Sequence, residues 1–494
     1  MTLEPSGFSF ENTFANALEG FYVPIEGHLA PAPKLVKLNE DLAGDLGIAT
    51  DFLRSETGVN ILSGKQKANG SSPLAQAYAG HQFGGFSPSL GDGRAMLLGE
   101  IIDRQGNRRD IQLKGSGQTP FSRGGDGKAA LGPVLREYII SEAMHALDIP
   151  STRSLAAVTT GEQVYRETAL PGAVLTRVAS SHLRVGTFQF FAARGQEDKV
   201  RQLADYAIER HYPELLGNPD KYLGFLKSVI QRQASLVAKW MSVGFIHGVM
   251  NTDNMTISGE TIDYGPCAFM DTYKSNTVFS SIDEMGRYAY RMQPVILQWN
   301  LARLAECLLF LFDADDRDNA VHIATEEINA IPEIYDTFWL AQMGRKIGLK
   351  ETNDQDKHLI NDLLEIMEEQ KADFTKTFRS LSQVLDSDKN AFLSQFQNLA
   401  SAQEWLVGWQ KRLETEKSNA QDQITLMNTV NPVYIPRNHL VEEALETTVS
   451  SDDFKPFEQL LAILKNPFER QFEADRYEQG ASDDFGPYVT YCGT

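Results

Sequence analysis

Hydrophobic and polar positions follow a strand-like pattern in the first half of the chain and a helical pattern in the second. Between residues 70 and 195, glycine is frequent and short runs are typical of strands: RAMLLGEII, RRDIQLKG, QVYRETA and GAVLTRVA. One helical pattern, GPVLREYIISEAMHALDI, interrupts them, and Pro133 stands where a first helical turn tolerates proline. From Val200 to Phe312 the pattern is mostly helical, and helices dominate beyond about residue 320. The pattern therefore predicts an α+β protein with a helical last third.

The stretch HGVMNTDNMTISGETIDYG, residues 247–265, breaks the helical pattern. MTIS and TID are β-prone runs on either side of Gly259-Glu260, a two-residue loop that predicts a tight hairpin. Such a hairpin would make neighbours of Asn254 and Asp263, whose amide and carboxylate oxygens suit Mg²⁺. The same residue types are common in exposed turns, so this segment alone leaves an ordinary turn open.

Composition and charge narrow the class of protein. A chain of 494 residues with 42% hydrophobic content can bury a large core, and its length suggests two to four domains or one elaborated domain. The net charge of −20 argues against nonspecific binding to nucleic acid or anionic membranes, although a local basic pocket stays open. The first twenty residues lack the features of a targeting peptide, and the most apolar segment, LAECLLFLF, contains an acid and predicts a buried helix. We expect a soluble, cytoplasmic protein with no membrane or nucleic acid partner.

The polar residues follow the order of a phosphate-transfer site. In protein kinases a strand lysine pairs with a helix glutamate, a catalytic loop supplies Asp and Asn, and a later aspartate holds Mg²⁺. Here Lys114 ends the run DIQLK, Glu137 lies in the following helical pattern, and Asp263 begins Asp-Tyr-Gly. Lys114 and Glu137 could also form an ordinary ion pair, or Glu137 could face solvent.

The kinase pattern fails at the catalytic base. Aligning His247 with the histidine of the kinase catalytic loop puts Asn254 on the metal-binding asparagine and Val249 where kinases keep the catalytic aspartate. Valine cannot accept a proton, so Asp253 is the remaining local candidate for the general base. The chain is therefore either an inactive kinase or an enzyme with different chemistry.

Several motifs, in order, resemble the selenoprotein-O family of protein adenylyltransferases over nearly the whole chain. They are SLGDGRA, QLKGSGQTPFSRGGDGKAAL, VLREY, LTRVASSHLRVGTFQFFA, HGVMNTDNM, DYGPCAFMD and PVYIPRNHLVEEAL. The resemblance implies a bilobal, protein-kinase-like fold that binds ATP in reversed orientation. Such an enzyme transfers AMP to Ser, Thr or Tyr hydroxyls of proteins with Mg²⁺ or Mn²⁺ and releases pyrophosphate. The resemblance further implies three regions. They are an N-terminal extension and N-lobe over residues 1–175, a C-lobe over 176–325, and a helical C-terminal extension with a cysteine-bearing tail over 326–494.

The resemblance also implies a role for each matching residue. Asp253 would be the proton acceptor, with Asn254 and Asp263 as the metal ligands. The residues that would contact the nucleotide are Lys114 paired with Glu137, Arg177 and Arg184 at the phosphates, Gly91, Gly93 and Arg94 in a glycine-rich loop, Asp126 and Gly127 in a flexible loop, and Asp263. Arginine suits phosphate because its planar fork donates two hydrogen bonds, but either arginine taken alone could be a surface charge.

Three cysteines, Cys267, Cys307 and Cys492, are too few for a disulfide framework or a zinc cluster. Cys307 lies in the apolar LAECLLFLF run and is expected to be a small core residue. Cys492 stands where some members of the resembled family carry selenocysteine, which suggests a regulatory disulfide with Cys267. Two unrelated thiols are the alternative.

Other functions stay open at this level. A related activity uses UTP with Mn²⁺ and transfers UMP, and a conventional kinase would transfer the terminal phosphoryl group instead. A non-catalytic nucleotide-binding scaffold could dock partners through the helical region after residue 320. The segment NPVYIPRNHLVEEAL has no assigned chemistry and is expected to cap or brace the lobes.

Overall fold

The computed structural model describes residues 7–28 and 30–491, which form an α+β protein as the sequence predicts. The strands lie almost entirely in the first half of the chain. They are β1 Tyr22–Pro24, β2 Lys34–Leu38, β3 Leu74–Gln76, β4 Gly80–Gln82, β5 Gly85–Ser87, β6 Ala95–Ile102, β7 Arg108–Lys114, β8 Ala129–Ala130, β9 Arg153–Tyr165, β10 Ala169–Ala179, β11 Phe245–Ile246 and β12 Ala268–Phe269.

Helices make up most of the rest. The α-helices are α1 Thr13–Ala17, α2 Glu40–Asp45, α3 Thr50–Arg54, α4 Glu56–Leu62, α5 Leu131–Ala146, α6 Val185–Ala192, α7 Glu197–His211, α8 Lys221–Ser242, α9 Gln293–Phe312, α10 Arg317–Lys346, α11 Asp354–Gln370, α12 Phe374–Leu385, α13 Lys389–Leu393, α14 Leu399–Glu414, α15 Ala420–Val430, α16 Asn438–Ser451, α17 Lys455–Leu464 and α18 Asp475–Glu478. Short 3₁₀ turns cover Pro213–Leu215, Thr252–Asn254, Tyr290–Met292 and Asp483–Phe485.

An antiparallel sheet organises the first half, in the strand order β1-β3-β6-β7-β10-β9-β2, with β8 paired to β10. Leu97 and Leu175 on one face join the large core that contains α5, whereas Met96 and Val174 on the other face join a second core with α2, α3 and α4. Because both faces are covered, β6 reads as a nearly continuous apolar run, whereas β7 alternates and buries the polar side chains of Asp110, Gln112 and Lys114. The sheet continues along β10 to Ala179, beyond the boundary at residue 175 that the resemblance implied.

Two strand predictions were wrong. QVYRETA spans the turn between β9 and β10, where the Arg166 amide donates to the Thr168 carbonyl. The predicted hairpin over residues 255–263 does not form a strand ladder; Thr256 forms an isolated bridge with Arg184, and Thr261 with Ser151. The loop closes instead through the Thr256 hydroxyl, which accepts from the Glu260 amide and donates to the Glu260 carbonyl.

Helix α9 lies directly behind the segment that the kinase-like motif occupies. Gln293 donates to the Phe245 carbonyl at 2.9 Å, and Asn300 donates to the Met250 carbonyl at 2.8 Å, so α9 fixes the backbone before and within the catalytic loop. By length and composition alone, the helix Tyr290–Phe312 could cross a membrane, with a mean hydropathy of 1.5; 44% of its most apolar window is buried in the structure. The predicted burial of the LAECLLFLF run is confirmed at Leu304 and Leu308.

The segment NPVYIPRNHLVEEAL braces the catalytic part of the molecule. Arg437 is fully buried and donates to Asp271 at 2.6 Å and to Asp373 at 2.8 Å, and Asn438 donates to the Phe269 carbonyl at 2.9 Å. These contacts join the chain just after Asp-Tyr-Gly to the C-terminal helices. Helix α16, which follows, packs against α5 and so supports the helix that carries Glu137.

Candidate active site

A cavity of about 630 Å³ lies between the sheet and the loop that carries the 3₁₀ turn Thr252–Asn254. It brings together nearly all of the residues that the sequence singled out, although they are scattered over the chain. Those that line it are Gly91, Gly93, Arg94, Lys114, Asp126, Gly127, Arg177, Arg184, Asp253, Asn254 and Asp263. Glu137 does not line this cavity and reaches it through Lys114.

Lys114, the last residue of β7, connects the sheet to helix α5 and to Asp-Tyr-Gly. Its ammonium group donates to Glu137 at 2.6 Å and to Asp263 at 2.7 Å. Both contacts are largely buried, so this is not an ordinary surface ion pair. The predicted pairing of Lys114 with Glu137 is present in the structure.

Asp263 is surrounded by positive charge. Besides Lys114, it accepts from Arg177 at 2.6 Å and lies 3.3 Å from Arg184. Burial acts to raise the pKa of Asp263, but the three cations outweigh it and hold the pKa well below its usual value. Asp263 also adopts a left-handed backbone with φ of 62°, a conformation that few residues other than glycine adopt and that is frequent at functional sites.

The two arginines are buried, with 2% of their surface exposed, which excludes the surface-charge alternative. Arg177 also donates to Glu137 at 3.2 Å and to Gln112 at 3.1 Å. Arg184 donates to the Asp253 carbonyl at 3.0 Å and lies over the Tyr78 ring at 4.4 Å. Both guanidinium groups are therefore fixed in place before any phosphate arrives.

Two glycine loops form the outer wall of the cavity. A Cβ atom at Gly91 would lie 2.3 Å from the Phe121 ring, and one at Gly127 would lie 2.1 Å from the Gly117 carbonyl oxygen, so both positions need glycine. Asp126 is exposed and pairs with Arg166 at 2.9 Å. In this arrangement Asp126 is at the edge of the cavity and already has a cationic partner.

Asp253 lines the same cavity but has a different environment, although Arg184 contacts both its carbonyl and Asp263. Its Oδ2 accepts from the Gln82 amide at 3.1 Å, whereas its Oδ1 is buried and has no hydrogen-bond partner. Burial raises the pKa of Asp253 to about 6, against the lowering effects of the Gln82 contact and Arg184. A carboxylate with a raised pKa and a free oxygen atom can take a proton at neutral pH.

The hairpin of β4 and β5 holds this end of the site, and sequence reasoning missed it. Besides the Gln82 contact, the His81 amide donates to the Thr252 hydroxyl at 2.7 Å and the Phe83 amide donates to Asn251 at 3.2 Å. A Cβ atom at Gly80 would lie 2.4 Å from Asp253 Oδ1. The signal was the Gly-Gly pair in HQFGGF, because two such residues between β-prone positions are typical of a tight hairpin.

A second buried carboxylate, Asp92, also escaped the sequence reading, although it lies within the quoted motif SLGDGRA. Its Oδ2 accepts from the backbone N–H of Gln76 at 3.1 Å and from the side-chain amide of Gln112 at 3.3 Å, while its Oδ1 has no hydrogen-bond partner. Burial raises the pKa of Asp92 to about 6, against the lowering effect of Arg184 3.8 Å away. Asp92 therefore adds a further proton-accepting group beside the glycine loop.

Asn254 and Asp263 fit the requirements of a hard divalent cation. The Asn254 amide nitrogen donates to the Val249 carbonyl at 3.0 Å, which leaves its oxygen as the free acceptor. Asp263 supplies a carboxylate to the same cavity. Two oxygen ligands of this kind are typical of Mg²⁺ and Mn²⁺ sites that complete their shell with phosphate and water. No group of three or more His, Cys, Asp or Glu side chains with metal-binding geometry occurs among residues 7–28 and 30–491.

The cysteines differ in what the structure shows. Cys267 is fully buried, and burial raises the pKa of its thiol to about 12, so the thiol stays protonated. Its carbonyl accepts from Arg136 at 2.7 Å. Cys307 is buried in α9, as predicted for a small core residue. Cys492 lies outside the described residues, so the suggested pairing with Cys267 stays a prediction.

Comparison with known proteins assigns a family to this arrangement. A family model described as protein adenylyltransferase SelO matches residues 6–465. A protein nucleotidyltransferase YdiU of Rhizobium etli is 56% identical over 491 residues, which cover 99% of this chain and 98% of the relative. Proteins of the same name from Bradyrhizobium diazoefficiens and Cereibacter sphaeroides are 54% and 56% identical, each over 99% of this chain and 99% or more of the relative.

Proposed function

The chain belongs to the SelO family of protein adenylyltransferases, and from this premise we propose that it transfers AMP from ATP to hydroxyl groups of proteins. It is a protein nucleotidyltransferase, as its relatives are named. The proposal concerns the nucleotide, the acceptor group and the roles of individual residues.

The observation that carries the proposal is the environment of Asp253. Asp253 lines the same cavity as Lys114, Arg177 and Arg184, its Oδ1 has no hydrogen-bond partner, and its pKa is raised to about 6. Val249, which takes the place of the kinase catalytic aspartate, lines that cavity and cannot accept a proton. Asp92 shares the raised pKa and the unpartnered oxygen but lies beside the glycine loop, whereas Asp253 is next to Asn254. The proposal therefore assigns the base to Asp253, and a conventional kinase mechanism lacks its own base.

The proposed reaction is one in-line displacement at the α-phosphorus of ATP. The acceptor hydroxyl gives its proton to Asp253 Oδ1, and its oxygen forms a bond to the α-phosphorus. The bond from that phosphorus to the oxygen shared with the β-phosphate breaks, and its electron pair leaves with pyrophosphate. Positioning and charge stabilisation supply most of the acceleration in such transfers.

The cationic end of the cavity binds the phosphates in this proposal. Lys114, Arg177 and Arg184 form a group of three positive charges. Glu137 holds Lys114 and Arg177, Gln112 also holds Arg177, and the Asp253 carbonyl holds Arg184. Arginine donors that are already oriented lose little entropy when phosphate binds. The Lys114–Glu137–Asp263 arrangement supports a protein-kinase-like, bilobal fold. The reversed orientation of the nucleotide is taken from the family resemblance and would direct the α-phosphate toward Asp253.

Asn254 and Asp263 would hold Mg²⁺ or Mn²⁺. When bound, such an ion neutralises charge on the phosphate oxygens and on the pyrophosphate that departs. The contribution of the chain itself is to keep the Asn254 oxygen available and the Asp263 carboxylate ionised. The low pKa of Asp263 ensures the second condition at any pH at which the protein is folded and active.

Labelled nucleotides test the proposal directly. ATP labelled at the α-phosphate should label acceptor proteins, and ATP labelled at the γ-phosphate should not. The reverse pattern would establish a conventional kinase, and no labelling together with nucleotide binding would favour a scaffold. A parallel incubation with α-labelled UTP and Mn²⁺ compares UMP transfer, because the names of the relatives do not specify the nucleotide. The cytoplasmic location expected from the sequence stays a prediction, which cell fractionation can test.

A further inference from the structure

Four exposed apolar side chains lie in two segments that contribute to the cavity lining, the β4–β5 hairpin and the loop that contains Asp283. Phe83 and Phe86, in the β4–β5 hairpin, are 37% and 42% exposed, and Ile282 and Met285 are 54% and 92% exposed. Phe83 and Ile282 also line the cavity itself. We call these four residues the apolar rim. Exposed apolar side chains that are grouped together often mark a surface that binds another molecule.

The rim is fixed to the catalytic loop on both of its sides. The Phe83 ring lies 5.1 Å from the Tyr288 ring, and the Tyr288 hydroxyl donates to Asn251 at 2.6 Å. The loop that carries Ile282 and Met285 is closed by Asp283, whose carboxylate accepts from the Arg287 amide at 2.9 Å and the Tyr288 amide at 2.7 Å. A molecule that rests on the rim is therefore held at a defined position relative to Asp253.

Next to the rim stands a cation without a counter-ion. The Arg287 guanidinium lies 4.7 Å from the centre of the Trp299 ring, and its Nε is buried with no hydrogen-bond partner. Within the described part of the chain, Arg287 forms no ion pair with a carboxylate, whereas Arg303 on the same tryptophan pairs with Glu306 at 2.6 Å. In a protein of net charge −20, an unpaired arginine at an active-site opening indicates a negatively charged partner.

We propose that the apolar rim and Arg287 form the docking surface for the acceptor protein. The occupant is a segment in which the acceptor hydroxyl is accompanied by a large apolar side chain and a carboxylate. The apolar side chain is buried against the rim, the carboxylate pairs with Arg287, and the hydroxyl reaches Asp253 Oδ1. This inference rests on the proposed function, because it assumes that a protein hydroxyl is the acceptor.

The physical argument combines position, burial and charge. Burial of apolar surface is favourable, so one large apolar side chain of the acceptor placed on the rim strengthens docking. A charge pair with Arg287 adds specificity, because an acceptor segment with a lysine in place of the carboxylate would be repelled by Arg287. Phe83 and Ile282 of the rim line the same cavity as Asp253, so a segment docked there has its hydroxyl close to the reacting phosphate.

The test uses the whole protein and a peptide library prepared from a proteome digest, with α-labelled ATP and Mg²⁺. Modified peptides are sequenced by mass spectrometry, and the residues around each modified hydroxyl are compared with the unmodified library. For the wild-type protein we expect enrichment of large apolar and acidic residues. No enrichment, or labelling of intact proteins but of no peptide, would overturn the inference.

Three substitutions make the test specific. Arg287→Glu should remove the acidic enrichment and favour lysine or arginine instead, Arg287→Gln should remove it without reversal, and Met285→Glu should reduce the apolar enrichment. Phe472→Glu is the matched control, because Phe472 is 91% exposed in the C-terminal region, and it should leave the pattern unchanged. For the acidic peptides, kcat/KM of Arg287→Glu should fall about tenfold, the effect of one lost charge pair.

Parallel measurements separate the two proposals. Affinity for a non-hydrolysable ATP analogue and the thermal unfolding midpoint should match the wild type in each variant. If the wild-type protein labels no protein or peptide with any nucleotide, the proposed function fails. If labelling is normal but the preferences survive Arg287→Glu and Met285→Glu, or if these variants change only self-association of the chain, the docking inference alone fails.

Discussion

Two carboxylates of the candidate active-site cavity are in opposite electrostatic states, although Arg184 contacts the residues of both. Asp263 contacts Lys114, Arg177 and Arg184 and has a pKa well below its usual value; we call its surroundings the cationic end. Asp253 is buried beside the neutral Gln82, and its pKa is raised to about 6; we call its surroundings the base end. The difference separates two tasks: a permanently ionised group suits metal and phosphate, whereas a group that titrates near neutral pH suits proton transfer.

The largest expected effect is on the free energy of unfolding. Replacement of Asp263 should lower it, whereas replacement of Asp253 should not. Asp263→Asn leaves buried cations without their anion and should lower the free energy of unfolding by about 3–5 kcal/mol. Asp253→Asn removes a buried charge. The rise of the Asp253 pKa from 3.8 to about 6 corresponds to a destabilisation of about 3 kcal/mol at high pH, which the variant avoids. The unpartnered amide N–H of the asparagine offsets most of this gain. The stability of Asp253→Asn at pH 8 should therefore be unchanged or raised by about 1 kcal/mol. Urea unfolding of both variants measures this contrast, and equal losses would contradict it.

The same contrast predicts how the two groups respond to pH. The folded-state pKa of Asp253 is raised, so its favourable contribution is complete below about pH 4 and is lost as the pH rises through about 6. Asp263 behaves in the opposite way: its contribution is present above about pH 4 and is lost only as the pH falls through its lowered pKa. The free energy of unfolding of Asp253→Asn, relative to the wild type, should therefore decrease toward pH 4, because the wild type loses its charge penalty there while the variant keeps the cost of its unpartnered amide N–H.

Catalysis should follow the ionised fraction of Asp253. Because the base acts only when deprotonated, kcat/KM should fall about tenfold per pH unit below pH 6 and level off above pH 7. A profile of kcat/KM for ATP checks this limb, because kcat/KM reports the pKa values of the free enzyme. A flat profile between pH 5 and 8 would show that no group with this pKa takes the proton.

Replacement of Gln82 should raise the pKa of Asp253 further above that of Asp263, with a smaller effect on the protein than the substitutions of the two aspartates. The Gln82 amide donates to the ionised carboxylate, so Gln82→Leu should raise the pKa of Asp253 and move the acid limb of kcat/KM to higher pH. A hydrogen bond to a charged group contributes about 1.5–3 kcal/mol, so kcat/KM at pH 7 should fall about tenfold. Gln479→Leu, far along the chain in the C-terminal region, is the control. If Gln82→Leu lowered only stability and left the pH profile in place, Gln82 would have no positioning role.

The smallest effect is expected on the reactivity of the Cys267 thiol. Cys267 lies close to the cationic end, but burial raises its pKa more than the nearby cations lower it. Its thiol has a pKa of about 12, so it should not react with iodoacetamide in the folded, reduced protein and should react fully in denaturant. Peptide mapping at Cys267 measures both states. Rapid alkylation in the folded protein would show that the thiol is accessible and at least partly ionised.

The sequence predicted the cationic end better than the base end, and the reason is physical. Lys114 ends a clear strand pattern and Glu137 lies within a clear helix pattern, so regular periodicity fixed both positions. The contacts of Asp253 depend on the strands β4 and β5, which have three residues each and lie in a glycine-rich stretch without periodicity. Arg177 and Arg184 were identified by resemblance, but only the fold shows that both are buried against Asp263.

The prediction of a hairpin over residues 255–263 failed for a related reason. Its turn residues were read correctly as a chain reversal, yet the Thr256 side chain closes the loop and the flanking residues pair with other segments. Local preference specified the reversal, and tertiary partners decided the hydrogen bonds. Asn254 and Asp263 nevertheless line one cavity, which was the consequence that mattered.

The single-turnover rate of AMP transfer in Asp253→Asn, measured beside its affinity for a non-hydrolysable ATP analogue, tests the central claim most directly. We predict that transfer from α-labelled ATP falls by about 10²–10⁴, the usual contribution of a general base, while nucleotide affinity stays within about twofold of the wild type. Transfer at the wild-type rate, or a parallel loss of nucleotide binding, would contradict the assignment of Asp253 as the proton acceptor.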